Sequence, residues 1–196
     1  SEYQARRRRD SPLHPEALTS LHDLASVFTG QGRYKEAESR FLEVLQGRRE
    51  ILPPGHPDTM STLGNLAVLY SRMNRLEEAE NFSRQVYETR LQVLPEGHPN
   101  TLVAAGNLAK VLRKQGSLEE AEFFYSFALS GFRIRGEEAG AASQALQAGY
   151  IHLLMAQERW DDAESHALEL VNQTPASSQR LERHQSLLNT VSESRP

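Results

Sequence analysis

His14-Pro15-Glu16-Ala17-Leu18 returns as His56-Pro57-Asp58-Thr59-Met60 and again as His98-Pro99-Asn100-Thr101-Leu102, forty-two residues apart each time. The echo continues through matching columns: Leu24-Ala25, Leu66-Ala67 and Leu108-Ala109 align, as do Ala37-Glu38, Ala79-Glu80 and Ala121-Glu122. A fourth copy has Gly140-Ala141 in place of His-Pro but keeps Trp160-Asp161-Asp162-Ala163-Glu164. Internal repeats of this length mark a solenoid, because each unit buries its apolar face only by stacking on its neighbours. The chain of 196 residues therefore reads as one elongated array with a continuous surface.

Each unit resolves into two helices. In the first, Leu21, Leu24, Ala25 and Phe28 recur at helical spacing, and Gly30-Gln31-Gly32-Arg33 breaks the pattern with a glycine turn. Tyr34, Ala37, Phe41, Val44 and Leu45 form a second stripe, closed by Leu52-Pro53-Pro54-Gly55. Pro57 then suits the first turn of the next helix. The unit is helix A, tight turn, helix B and a longer loop. The alanine columns at 25, 67, 109 and at 37, 79, 121, 163 let paired helices approach closely, with Phe28, Tyr70, Leu112 and Leu154 as their large neighbours.

Composition narrows the function classes. A formal net charge of −4 gives no basis for general attraction to nucleic acid. The absence of cysteine removes disulfides, thiolate catalysis and cysteine-bound zinc, and fits a reducing, cytoplasmic setting. No apolar run approaches the roughly 18 residues of a membrane span, and the basic, polar start does not read as a signal peptide. The triplets Asn81-Phe82-Ser83 and Asn172-Gln173-Thr174 fall in expected helix and read as chance matches to a glycosylation signal. His14, His56 and His98 stand one per repeat, at least a helix-packing distance of about 8–10 Å apart, too far to share a zinc ion at about 2.0–2.1 Å. They read instead as loop residues fixing the entry to helix A. Glu38, Glu80, Glu122 and Glu164 form a ladder that reads as structural. With no nucleophile–base pair, phosphate loop or metal spacing, the expectation is a non-enzyme without cofactor.

The junction Gly32-Arg33-Tyr34-Lys35-Glu36-Ala37 resembles that of the tetratricopeptide repeat, and Asn74-Arg75-Leu76-Glu77-Glu78-Ala79 and Gly116-Ser117-Leu118-Glu119-Glu120-Ala121 are near versions. That repeat is ordinarily about 34 residues long. The longer unit here and its Gly-His-Pro-Asp-Thr linker are similar to the kinesin light chain subtype, also found in large sensor proteins. The resemblance covers residues 1 to 173 and implies an all-α, right-handed solenoid of stacked antiparallel hairpins. The divisions are 14–55, 56–97 and 98–139 for three repeats and 140–173 for a degenerate fourth. Residues 1–13 read as the end of a preceding helix B, since Tyr3 and Arg6 fall in the columns of Leu45 and Arg48, so the chain looks like a piece of a longer array. Arg6 to Arg9 admit a nuclear-address or phosphate-patch reading, or the cations of an exposed helix C-terminus. Residues 174–192 read as a capping helix, with Leu181, Leu187, Leu188 and Val191 inward, and 193–196 as disordered.

The resemblance also implies where a ligand would lie: the A helices line a concave groove. Its candidate residues are Ser61, Asn65, Val68 and Arg72 of the second repeat and Val103, Asn107, Lys110, Arg113 and Lys114 of the third. In peptide-binding relatives the column of Asn65 and Asn107 clamps a ligand backbone, a task suited to a carboxamide that both donates and accepts. Asp23 and Gly149 break that column. Four cations without an acid among them on an acidic chain point to an extended acidic peptide or a phosphopeptide. The chaperone-tail clamp is not matched, since it needs lysine where Ser61 and Val103 stand. Gly64 and Gly106 admit two readings, close approach of a ligand or room for a neighbouring helix. The expected function is a peptide-binding adaptor. The rivals are a self-associating structural module and the repeat region of a larger sensor or enzyme-linked protein.

Overall fold

The computed structural model describes residues 14–138, 140–175 and 180–195. Among these, the elements are nine helices and no strands: α1 (Pro15–Gly30), α2 (Tyr34–Ile51), α3 (Pro57–Arg72), α4 (Leu76–Val93), α5 (Pro99–Gln115), α6 (Leu118–Ile134), α7 (Ala141–Ala156), α8 (Trp160–Asn172) and α9 (Leu181–Ser194). They form two compact units divided between Val93 and Leu94. In the first unit α1 pairs with α2 and α3 with α4, and α3 stacks on α2. In the second, α5 pairs with α6, α7 with α8 and α9 with α8, while α7 stacks on α6. No helix of the described residues is long and apolar enough to cross a membrane.

Both ends of each A helix are built from recurring chemistry. The ring Nδ1 of His14, His56 and His98 accepts a hydrogen bond from the backbone N–H of Glu16, Asp58 and Asn100 at 3.3, 3.2 and 3.1 Å. Each histidine is thus an N-cap, satisfying a donor that the helix leaves unpaired, with proline following it in the first turn. At the other end, residues 32, 74, 116 and 158 all have positive φ, from 58° to 89°. The next residue's N–H closes back on Phe28, Tyr70, Leu112 or Leu154 at 2.9–3.0 Å, the long-range bond of a Schellman motif.

The hairpins lock through the alanine columns. Ala25, Ala109, Ala37, Ala79, Ala121 and Ala163 have no exposed surface. Around them the core is Leu18, Phe41, Leu66 and Leu69 in the first unit, and Leu102, Leu108, Leu112, Tyr125, Ile151, Leu153, Leu154 and Leu170 in the second. The glutamate ladder ties successive hairpins. Glu38 accepts from the Tyr70 hydroxyl at 2.7 Å and from Arg75 at 2.8 Å. Glu122 accepts from Gln157 at 2.8 Å and Arg159 at 2.6 Å, and these bonds hold its carboxyl below the usual range.

The final element differs from expectation. The helix begins at Leu181 rather than at Thr174, and continues to Ser194. Thr174 is instead a buried stopper: its hydroxyl donates to the Leu170 carbonyl at 2.7 Å and lies 2.8 Å from His184 Nδ1. His184 and Val191 are the buried residues of α9, whereas Leu181, Leu187 and Leu188 are half-buried. Residues 193–195 are placed rather than disordered, since Arg195 pairs with Asp161 at 2.7 Å and Glu164 at 3.4 Å. The expectations for residues 1–13, and that for Pro196, lie outside the described residues.

Candidate functional site

Ser61, Asn65, Val68 and Arg72 follow one another at i, i+4, i+7 and i+11 on α3, which sets them along one helix face. Ser61, Val68 and Arg72 are exposed and Asn65 is half-buried. On α5 the same spacing aligns Val103, Asn107, Lys110 and Lys114, with Arg113 beside them. Asn107 and Lys114 are exposed, and Val103, Lys110 and Arg113 half-buried. The predicted residues thus form one row on the first unit and one on the second.

The two asparagines are not equivalent. The Asn65 carboxamide lies 3.0 Å from His22 Nε2, and His22 Nδ1 lies 3.2 Å from Arg48 Nη1. Arginine has only donors, so Nδ1 must accept, the proton sits on Nε2, and the carboxamide oxygen of Asn65 must face it. Asn65 therefore has only its amide N–H left for an outside group. Asn107 makes no hydrogen bond among the described residues and keeps both functions. Arg48, buried to 5% exposure, also donates to the Asp58 carbonyl and the Thr62 hydroxyl, both at 2.8 Å. Burial and the Arg48 charge push the His22 pKa down, against Asp23 and Asp58.

The second unit carries the charge. Lys110 and Arg113 stand one turn apart on α5, and His152 occupies the column of Lys110 on α7. Burial lowers the pKa of Lys110 and of His152, and the Arg113 charge lowers both further. Neither Lys110 nor His152 forms an ion pair among the described residues. The two glycines now separate. A Cβ on Gly106 would lie 1.8 Å from Leu146 Cδ2, so this glycine makes room for α7, while Gly64 has nothing within 4 Å. The surface clefts, of about 270 Å³ beside Pro53 and Thr89 and about 480 Å³ beside Arg133 and His166, lie apart from these rows. No cluster of three or more histidine, aspartate or glutamate side chains with metal-site geometry occurs among the described residues.

Comparison with known proteins follows the same lines. Residues 16–92 match the family model of the tetratricopeptide repeat. Residues 16–92 thus match the tetratricopeptide repeat, and the chain shares its fold. A kinesin light chain-like protein of nearly identical TPR-like repeats from Podosopora anserina superposes with a TM-score of 0.79 at 20% identity, over 92% of this chain and 87% of that one. BtubC (BKLC) of P. vanneervenii gives 0.78 at 20% identity, over 98% and 78%. PilF of Pseudomonas aeruginosa gives 0.56 at 20% identity, over 93% and 72%. No curated protein matches the sequence. The tetratricopeptide fold is generally a scaffold for protein–protein interaction. At these identities the solved structures speak for the fold.

Sequence reasoning passed over His22 with Arg48, and His152. The signal for Arg48 was present, since arginine repeats at positions 6, 48 and 90, but the column served only to set the phase of the repeat. Nothing in the spacing joins His152 to Arg113, because that relation depends on how α5 and α7 pack.

Proposed function

We propose that these tetratricopeptide repeats act as a cytoplasmic adaptor that binds an acidic peptide on the exposed A-helix faces. The observation that carries this reading is that half-buried Lys110 and Arg113 stand one turn apart on α5 with no carboxylate partner among the described residues, and with His152 also under the Arg113 charge. These groups would gain most from an acid supplied by a ligand. Asn107, Lys114 and Val103 on α5 give that ligand backbone, charge and apolar contacts. Ser61, Asn65, Val68 and Arg72 offer a second, shorter row on α3.

Reversing Lys110 and Lys114 to glutamate is expected to weaken a fluorescein-labelled Asp/Glu peptide by on the order of tenfold or more, read by fluorescence polarisation. Helical circular dichroism stays unchanged, and equal affinity of the variant and the parent rejects the reading. A second reading, self-association through the outer B-helix surface, has one observation in its favour. Phe123 and Ile134 on α6 are 62% and 88% exposed, where α2 carries Ser39 and Glu50 in the same columns. Light scattering that shows a dimer unaffected by Asn107→Ala would support it.

A further inference from the structure

Lys110, Arg113 and His152 of the second unit have a floor beneath them that the acidic-peptide reading leaves unused. Tyr125 comes from α6 and is fully buried, reaching up to α7 where Gly149 stands in the column of Asn65 and Asn107. A Cβ on Gly149 would lie 2.6 Å from the Tyr125 hydroxyl, so only glycine leaves room for it. The hydroxyl and Arg113 Nε are both buried and neither makes a hydrogen bond of good geometry among the described residues, though the Arg113 side chain stands close enough to the phenol to draw its pKa down. The same column holds Phe41, Ser83 and Ala167 elsewhere, and a phenol occurs here alone. Burial pushes that phenol up to about 12, against the pull of the neighbouring Arg113. Thus α5 contributes Lys110 and Arg113, α7 contributes His152, α6 contributes a neutral hydroxyl, and none contributes a carboxylate to the spot.

We propose that Lys110, Arg113 and His152 form a seat for a phosphate monoester, the phosphorylated side chain of a bound peptide, with Tyr125 beneath as a positioning residue for Arg113. This rests on the α5 face being the peptide-binding face. A single carboxylate carries one charge, against the two of Lys110 and Arg113 and the neutral ring of His152 beside them. A phosphomonoester carries about −1.5 to −2 near neutral pH and three acceptor oxygens, one for each of the three side chains. Arginine supplies a planar fork of donors, lysine a point charge, and histidine a proton that the dianion makes easier to hold.

The test uses three versions of one Gly/Ala-flanked peptide, with serine, glutamate or phosphoserine at its centre, and inorganic phosphate as the free-ion probe. The phosphoserine version is expected to bind about tenfold tighter than the glutamate version, the margin of one added charge-assisted hydrogen bond. Lys110→Met and His152→Gln each remove most of that margin, lowering the affinity of the phosphoserine version more than that of the glutamate version. Both phosphate and the phosphopeptide raise the His152 pKa, followed by NMR of its ring protons. Tyr125→Phe is expected to lower phosphopeptide affinity while leaving the serine version's affinity unchanged; a merely structural tyrosine would lower the unfolding midpoint and both affinities together. If phosphate moves His152 while no peptide binds, the anion seat is supported and the peptide reading fails. If the glutamate and phosphoserine versions bind alike and the His152 titration is unmoved, the seat is overturned and the acidic-peptide reading stands.

Discussion

Glu158 occupies a position that the other repeats give to residues suited to it. Its φ is 60°, in the column of Gly32, Asn74 and Gly116. A side chain with a Cβ in this left-handed region costs roughly 1–2 kcal/mol, while glycine adopts it freely and asparagine tolerates it. The turn survives because the N–H of Arg159 still closes on the Leu154 carbonyl at 2.9 Å and Arg159 is anchored by Glu122 and Asp162. Glu158→Gly is therefore expected to stabilise the protein by about 0.5–1 kcal/mol, the relief of strain less glycine's added chain entropy. Denaturant unfolding would measure it, and a midpoint at or below the parent's would refute the strain. The histidine caps belong to the same scale. Replacing His56 by alanine leaves the Asp58 N–H without its acceptor and should cost about 1 kcal/mol, whereas a role for His56 outside the helix would leave the midpoint unchanged.

Helix pairs were the most legible part of the sequence, because the alanine columns and turn residues state their own geometry. Ala37, Ala79, Ala121 and Ala163 are buried where the pattern required small residues, and the αL turn falls in one column in all four hairpins. Helix ends were less legible. Thr174 turns its hydroxyl back to the Leu170 carbonyl only once α8 has formed, and Arg195 finds its acids only after α8 and α9 have packed. The glycines inside A helices show the limit directly, for Gly64 and Gly106 share a column yet differ in what surrounds them. Gly106→Ala forces Leu146 aside and is expected to cost about 1–3 kcal/mol through overpacking. Gly64→Ala meets open space and is expected to gain up to about 1 kcal/mol from helix propensity. Parallel thermal melts of the two variants check the contrast, and equal shifts of the same sign would show that surroundings do not decide. If Gly64→Ala stabilises the fold while weakening peptide binding, its openness serves a ligand.

Across the molecule, the site was half legible: the rows on α3 and α5 follow from spacing, but the charge state of each group does not. Spacing could not show that Asn65 is held by His22, nor that Lys110 and His152 feel the same arginine, because those relations join different repeats. They also set how stability responds to pH. His22, His152 and His184 all have pKa values pushed below the ordinary 6.5, first by burial and then by Arg48, Arg113 and Arg180 respectively. Asp23 and Asp58 oppose the shift at His22 alone. In the unfolded chain these rings take up protons near 6.5, while in the folded chain they do so only at lower pH. The unfolded state thus binds more protons just below 6.5, and stability must fall as pH falls through that window. The lowered carboxyls of Glu36, Glu78 and Glu122 act separately, since their stabilisation is lost only below their ordinary 4.5. Urea unfolding at pH 7.5 and 5.5 isolates the histidines. The midpoint should be lower at 5.5, and His22→Gln, which carries no titrating proton, should shrink the difference. A midpoint independent of pH across that interval would mean the three rings hold protons equally well in both states, contrary to the burial and the arginine neighbours described for them.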